Sequence, residues 1–330
     1  MKKNIAVIAG GDSGEYDISV KSGRMVTHTI DPDKYKVFLI NIRGSKWFYE
    51  EEDQIYHIDK NDFSLTINDE HIKFDCVFCA IHGTPGENGK MPAYFEMLGI
   101  PYTSSDFLTS ALTFSKNYCN RVVASYGVKV AASMHFFKHE KPTADDILRK
   151  LSLPVFVKPN AGGSSVGMTR VNHETGLLPA IERAFKEDTE IMIEEFVEGR
   201  ELTCGVIESA GKMLILPLCE IRSKREFFDF EAKYDPSLAD EIIPSSVSET
   251  VDEEIRDTSA FLYKRLNCKG VVRFDYIYSE KKNTLYFLEV NTVPGLTQES
   301  IVPKMARETG ISLQQFFTMM IEEAIRRQLK

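Results

Sequence analysis

The stretch FLEVNTVPG, residues 287–295, ends a β-strand in an unusual way. Phe287, Leu288 and Val290 read as strand interior, yet Glu289 and Asn291 stand among them two residues apart. Side chains alternate along a strand, so Glu289 and Asn291 project from one face. Pro294 and Gly295 then stop the strand. Upstream, KGVVRFDYIY (269–278) places Arg273 and Asp275 on one face by the same alternation. If that segment pairs with TLYFLEV (284–290), all four side chains share a face. Three oxygen ligands beside a cation suit Mg2+ and phosphate, because Mg2+ takes one or two carboxylates and completes its shell with water and phosphate oxygens. A solvent-facing polar edge with a salt bridge is the alternative. The strong apolar runs around both pairs weigh against it.

Three other stretches carry polar residues at strand ends. In VKPNAGGSSVGM (157–168), Lys158 ends a strand, and the loop after it can fold its backbone N–H groups around phosphate oxygens. It lacks the Gly-Lys-Ser/Thr spacing of a Walker A loop. A plain hairpin and a phosphate loop both stay open on these residues alone. In AGGDSGEYDIS (9–19) the glycines do not form G-x-G-x-x-G. The next strand ends Asn41-Ile42-Arg43 with no acid to hold a ribose, so a dinucleotide site is not expected. Glu15 stands at the helix start, where a carboxylate usually caps N–H groups and otherwise binds a substrate ammonium. AIHGTPGENG (80–89) leaves a strand with His82, a glycine turn and Glu87.

The chain around these stretches has 330 residues, enough for two or three domains. A net charge of −9 argues against a nucleic-acid partner, which would need a basic surface. The short apolar run in MKKNIAVIAGGDSG is not a signal-peptide core, and no segment approaches the ~18 apolar residues of a membrane span. The six cysteines are scattered, which fits buried thiols in a reducing cytosol, so a cytoplasmic protein without a membrane partner is expected.

Residues 1–104 read as an α/β domain with a largely parallel sheet, from NIAVIA (4–9), YKVFLINI (35–42) and DCVFCAI (75–81). Residues 105–192 form a central segment opening with one helix over 106–127. Residues 193–330 hold a mostly antiparallel sheet. There Thr250 and Glu253 have capping-box spacing at the start of a helix over 251–266. Leu313, Phe316, Phe317, Met320, Ile321, Ala324 and Ile325 make a core stripe on the last helix. Within this part, residues 221–246 are charged and turn-rich, as expected of a lid loop.

HG-x-x-GE-x-G at 82–89, VKP-x-x-x-GSSVGM at 157–168, EAKY at 231–234, RFD at 273–275 and LEVNTVPGLTQES at 288–300 occur in one order. Together they resemble the D-alanine–D-alanine ligases of the ATP-grasp superfamily, over nearly the whole chain. The resemblance implies three α/β and α+β domains: an N-terminal parallel α/β domain, then an ATP-grasp fold with ATP between its two halves. It implies that ATP phosphorylates one D-alanine and that the amine of a second displaces the phosphate. Asp275 and Glu289 would hold one Mg2+, and Glu289 with Asn291 a second, Mn2+ being able to substitute. Arg273 and the Gly295 N–H would stabilise the oxyanion. Lys116 and Lys158 would hold ATP phosphates and Lys233 the γ-phosphate. Glu194 and Val197 would contact adenine, and Glu201 the ribose.

By the same resemblance Glu15 binds the first substrate's ammonium and joins Ser164 and Tyr234 in a hydrogen-bonded triad. His82 lies near that substrate, Ser300 holds the second one's carboxylate, and a homodimer is expected. Asn88, Gly162 and Val293 depart from the family pattern, and Gly162 bears on the phosphate loop. A D-alanine–D-lactate ligase is disfavoured by Tyr234 in EAKY. Another ATP-grasp carboxylate–amine ligase is disfavoured by GLTQES, and a non-catalytic nucleotide-binding regulator by the joint presence of Lys158, Arg273, Asp275, Glu289 and Asn291.

Overall fold

The computed structural model describes residues 2–163, 166–223 and 239–328. Among these residues the chain is built on three sheets. The first centres on β1 (Lys3–Gly10), whose residues Ile5 to Ala9 are fully buried. It runs parallel to β2 (Tyr35–Arg43) on one side and to β7 (Cys76–Cys79) on the other. Helix α1 (Tyr16–Thr29) connects β1 to β2, as parallel neighbours require.

Only that core is parallel, which corrects the expected sheet. β3 (Lys46–Glu51), β4 (Gln54–Asp59), β5 (Ser64–Ile67) and β6 (Glu70–Ile72) extend it in antiparallel fashion, in the order β6-β5-β4-β3-β2-β1-β7. Glu52 with Asp53, and Asn68 with Asp69, have positive φ at two of the turns, the conformation that tight hairpins need. These strands are short and largely solvent-facing, so their hydrophobic alternation is weak. Helix α2 (Lys90–Leu98) follows β7.

The expected helix over 106–127 is two helices, α3 (Phe107–Phe114) and α4 (Lys116–Ser125), broken at Ser115. Beyond them β8 (Ser133–Phe137), β9 (Val155–Pro159), β10 (Thr169–Val171) and β11 (Glu190–Glu195) form an antiparallel sheet in the order β10-β9-β11-β8. Helices α5 (Ala144–Leu148) and α6 (Leu177–Glu187) bury Ile147, Leu177, Ile181 and Ala184 against one face of it. β11 belongs wholly to this sheet, so a boundary at 192/193 falls inside a strand.

The third sheet is antiparallel, as expected. It contains β12 (Arg200–Ser209), β13 (Lys212–Ile215), β14 (Cys219–Ser223), β15 (Ala239–Ile242), β16 (Val271–Ser279) and β17 (Thr284–Asn291). Its order is β15-β14-β12-β16-β17, with β13 also on β12. β14 and β15 pair, so both ends of the expected 221–246 loop are strand; residues 224–238 lie outside the described residues. Helix α7 (Glu249–Arg265) packs Val251, Ile255, Leu262 and Tyr263 on Leu202, Phe274, Tyr276 and Phe287. Its N-cap is Ser248, not Thr250, because the helix starts at Glu249. Helices α8 (Ile301–Glu308) and α9 (Leu313–Gln328) close the chain. The α9 stripe is buried as expected and joins the β1 and β7 core, where Phe317 meets Phe78 edge-on at 5.6 Å.

Candidate active site

Strand alternation on the third sheet puts Phe274 and Tyr276 under α7 and turns Arg273 and Asp275 to the opposite face. Pairing with β17 sets Arg273 opposite Asn291 and Asp275 opposite Glu289, the register that the sequence pattern required. A bulge then places Leu288 and Glu289 together on the lining of a cavity of about 700 Å³. Arg273 donates Nε and Nη2 to the two oxygens of Asp275, each at 2.8 Å. Thr203, opposite Asp275 on β12, donates at 2.5 Å, and Asn291 donates Nδ2 at 3.0 Å. Burial would lower the Arg273 pKa, but Asp275, Glu289 and Glu87 outweigh it and raise it. Thr203 was not legible as a site residue. It stands in the apolar run ELTCGVI and only the pairing register reveals it.

The cavity takes its walls from strands of the third sheet, the segment 293–304 after them, and the connections that follow β1, β7 and β9. Glu15 is the N-cap residue of α1, yet its side chain makes no cap hydrogen bond. Its carboxylate lies against the phosphate-loop candidate, where a Cβ on Gly163 would come within 2.6 Å of Glu15 Oε2. Glycine at 163 is what lets loop and carboxylate meet. Gly295 plays a similar part, since a Cβ there would stand 2.7 Å from Ser300 Oγ. Ser300 is the N-cap of α8, and its hydroxyl accepts from the Thr297 N–H at 3.1 Å. Lys304 of α8, also on the lining, is tied to Glu241 at 3.2 Å and Glu299 at 3.3 Å.

His82 and Glu87 line the cavity and grip one residue of the loop after β17. His82 Nδ1 donates to the Val293 carbonyl at 2.9 Å, and its Nε2 meets Ser22 Oγ at 2.9 Å. Burial pulls its pKa below the usual histidine value, so the ring is neutral and accepts from Ser22. Glu87 accepts the Val293 N–H at 3.2 Å and the Gly83 N–H at 2.7 Å. Burial, and then the neighbouring Glu15, push the Glu87 carboxyl up to about 8, against the two N–H donors. Both backbone polar groups of Val293 are thus held from the first sheet's side. Glu87 had a sequence signal in HGTPGENG, but no role followed from it.

Lys116 Nζ donates to the Gly162 carbonyl at 2.6 Å and lies 3.8 Å from Glu289 Oε2. Lys158 and Glu194, expected to contact different parts of ATP, form a buried ion pair across β9 and β11. Val197 is buried with Ala131 and Tyr286, while Glu201 lines the cavity from β12. The cavity therefore collects Glu15, His82, Glu201, Arg273, Asp275, Glu289, Asn291, Gly295 and Ser300. Lys116 reaches its edge through Glu289; Lys158, Glu194 and Val197 are not on the lining. Ser164, Lys233 and Tyr234 lie outside the described residues.

Family models described as "D-ala D-ala ligase N-terminus" and "D-ala D-ala ligase C-terminus" match residues 4–105 and 122–322. A D-alanine–D-alanine ligase of Flavobacterium johnsoniae is 47% identical over 97% of this chain and 98% of its own. The crystal structure of the VanG D-Ala:D-Ser ligase from Enterococcus faecalis is similar with a TM-score of 0.86 and 31% identity, over 98% of this chain and all of its own. That of a D-alanine–D-alanine ligase from Bacillus anthracis complexed with ATP gives a TM-score of 0.80 and 32% identity, over 100% of this chain and 99% of its own.

Proposed function

The chain belongs to the D-alanine–D-alanine ligase family, and on that premise we propose how its cavity joins two D-alanine molecules. The enzyme is an ATP-dependent ligase that makes D-alanyl-D-alanine for peptidoglycan precursors. A carboxylate oxygen of the first D-alanine takes the γ-phosphoryl group, releasing ADP and leaving D-alanyl phosphate. The second D-alanine, its ammonium having given up one proton, attacks the carbonyl carbon through its amine. The nitrogen loses one further proton and keeps one as the amide N–H, and the C–O bond to phosphate breaks.

Glu15 receives the ammonium of the first D-alanine, and the first-turn N–H groups of α8 with Ser300 receive the carboxylate of the second. Arg273 and the Gly295 N–H face the oxygen that gains charge in the tetrahedral intermediate. Lys116 and Lys158 hold ATP phosphates, with Glu194 and Val197 at adenine and Glu201 at ribose. Lys233 at the γ-phosphate, and a Glu15–Ser164–Tyr234 triad, complete the assignment by family resemblance. His82 has both ring nitrogens engaged, so it shapes the wall beside the first substrate and moves no proton.

Asp275, Glu289 and Asn291 fit Mg2+ by their chemistry. They present two carboxylates and an amide oxygen on one face of the β16–β17 pair. Asp275 with Glu289, and Glu289 with Asn291, would hold two ions, with Mn2+ as a substitute. A divalent ion held by these residues would supply positive charge to offset the negative charge of the phosphates. A homodimer and a cytoplasmic location are part of the same proposal; among the described residues no helix is long and apolar enough to cross a membrane.

The observation that carries this reading is the β16–β17 register, which delivers four matching side chains to one cavity with Glu15 and Ser300. Incubation with ATP, Mg2+ and D-alanine should yield one ADP and one D-alanyl-D-alanine per turnover by mass spectrometry. ADP without dipeptide, in the presence of D-alanine, would contradict it.

A further inference from the structure

We propose that Asn160 caps helix α4 from outside the helix and thereby acts as a positioning residue for Lys116 at the phosphate end of the cavity. The helix break at Ser115 supplies the first observation. Ser115 is extended, at φ −85° and ψ 105°, and is the N-cap residue of α4, yet its side chain accepts no N–H of the helix. Two of the N–H groups left open by that start are taken by Asn160 instead. The Lys116 N–H donates to the Asn160 carbonyl at 3.0 Å, and the Asn117 N–H to Asn160 Oδ1 at 2.9 Å. Asn160 Nδ2 donates to Ser115 Oγ at 2.9 Å and to Glu190 Oε2 at 3.2 Å. Its own N–H donates to the Glu190 carbonyl at 2.9 Å. Asn160 is 3% exposed and Asn117 5%, so water does not replace these partners.

The second observation is where the capped helix points its first residue. Lys116 Nζ reaches back to the carbonyl of Gly162, in the loop that Asn160 begins, and to Glu289 of β17. Asn160, the loop, Lys116 and Glu289 therefore close a circuit. No glycine or proline stands between Phe107 and Ser125 to force the break. Without the cap, Ser115 is free to join α3 and α4 into one helix, which turns about 100° per residue and would swing Lys116 off the loop. The loss of that one acceptor leaves the buried Asn117 N–H unsatisfied, which disfavours the present helix start.

The inference rests on Lys116 as a phosphate-binding lysine, and its test uses ATP binding apart from ligation. A fluorescent ATP analogue is titrated into the wild type, Asn160→Ala, Lys116→Ala and the double variant, with folding checked by circular dichroism. Affinity should fall about tenfold or more in Asn160→Ala, a loss of about 1.4 kcal/mol or more. It should fall little further when Asn160→Ala is added to Lys116→Ala. KM for both D-alanines should stay within about twofold of the wild type in Asn160→Ala, which a general distortion of the cavity would not permit. If the alanine variant does not fold, Asn160→Ser carries the same cycle. Unchanged ATP affinity, or losses that add in the double variant, would overturn the proposal. A wild type that binds ATP but makes no dipeptide would instead count against the ligase reading.

Discussion

Glu289 stands between two charged partners, with Asp275 across the strand pair and Lys116 at its outer edge. It is the one carboxylate assigned to both metal positions. Glu289→Gln should therefore reduce ligation by at least about 100-fold, an effect of roughly 3 kcal/mol on the barrier, while the circular dichroism spectrum stays native. Asn291→Ala removes one neutral ligand and should cost less; near-normal turnover of Glu289→Gln would remove the metal assignment. Glu87 acts on stability rather than on chemistry. Its carboxyl titrates near 8 in the folded chain against an ordinary value of 4.5. Between these two pH values the folded chain keeps a proton that the unfolded chain has released, so its contribution weakens as pH rises through that window. Denaturant midpoints measured from pH 5 to 8 should fall more steeply for the wild type than for Glu87→Gln. Parallel slopes would show that Glu87 does not titrate there. Glu220 has the opposite sign. Burial opposes its charge, but bonds from Arg200, Arg222 and Ser246 prevail and bring it down to about 2, so its contribution is lost as pH falls from about 4.5 toward 2.

Among the elements, α9 shows what periodicity can deliver. Its stripe was legible because 3.6-residue spacing gathers one apolar face, and that face is buried against the first sheet. Phe317→Ala should lower the unfolding free energy by about 3–5 kcal/mol, measured by urea denaturation, since it empties a fully buried position between α9 and Phe78. A loss below about 1 kcal/mol would mean that the helix is not seated as described. The α3–α4 break was not legible, because its cause lies at Asn160 rather than in the helix sequence. Strands β3 to β6 were missed for a different reason. They are three to six residues long and half exposed, too short and too polar for a period of two to stand out. The site strands are the reverse case. Arg273, Asp275, Glu289 and Asn291 are polar residues at period two inside apolar runs, a pattern with few structural explanations. The Lys158–Glu194 pairing could not be read from the sequence, because it depends on the register between two strands more than thirty residues apart.

At the scale of the whole molecule, the cavity exists because separate parts of the chain are fastened across it. His82 and Glu87 hold Val293 from the first sheet's side, α9 buries its apolar face on β1 and β7, and Lys116 links the central loop to β17. In the reaction proposed for it, this cavity drives ligation by passing the γ-phosphoryl group of ATP to a D-alanine carboxylate. The most direct measurement uses D-alanine with both carboxylate oxygens replaced by 18O, supplied with ATP and Mg2+ in unlabelled water. Phosphoryl transfer to the carboxylate places one labelled oxygen in the bridging position, and the later C–O cleavage carries it away with phosphate. Mass spectrometry should find one 18O in each phosphate released, one fewer at the newly formed peptide carbonyl than in the parent carboxylate, and ADP as the nucleotide product. Dipeptide formed alongside unlabelled phosphate would contradict phosphoryl transfer to the D-alanine carboxylate.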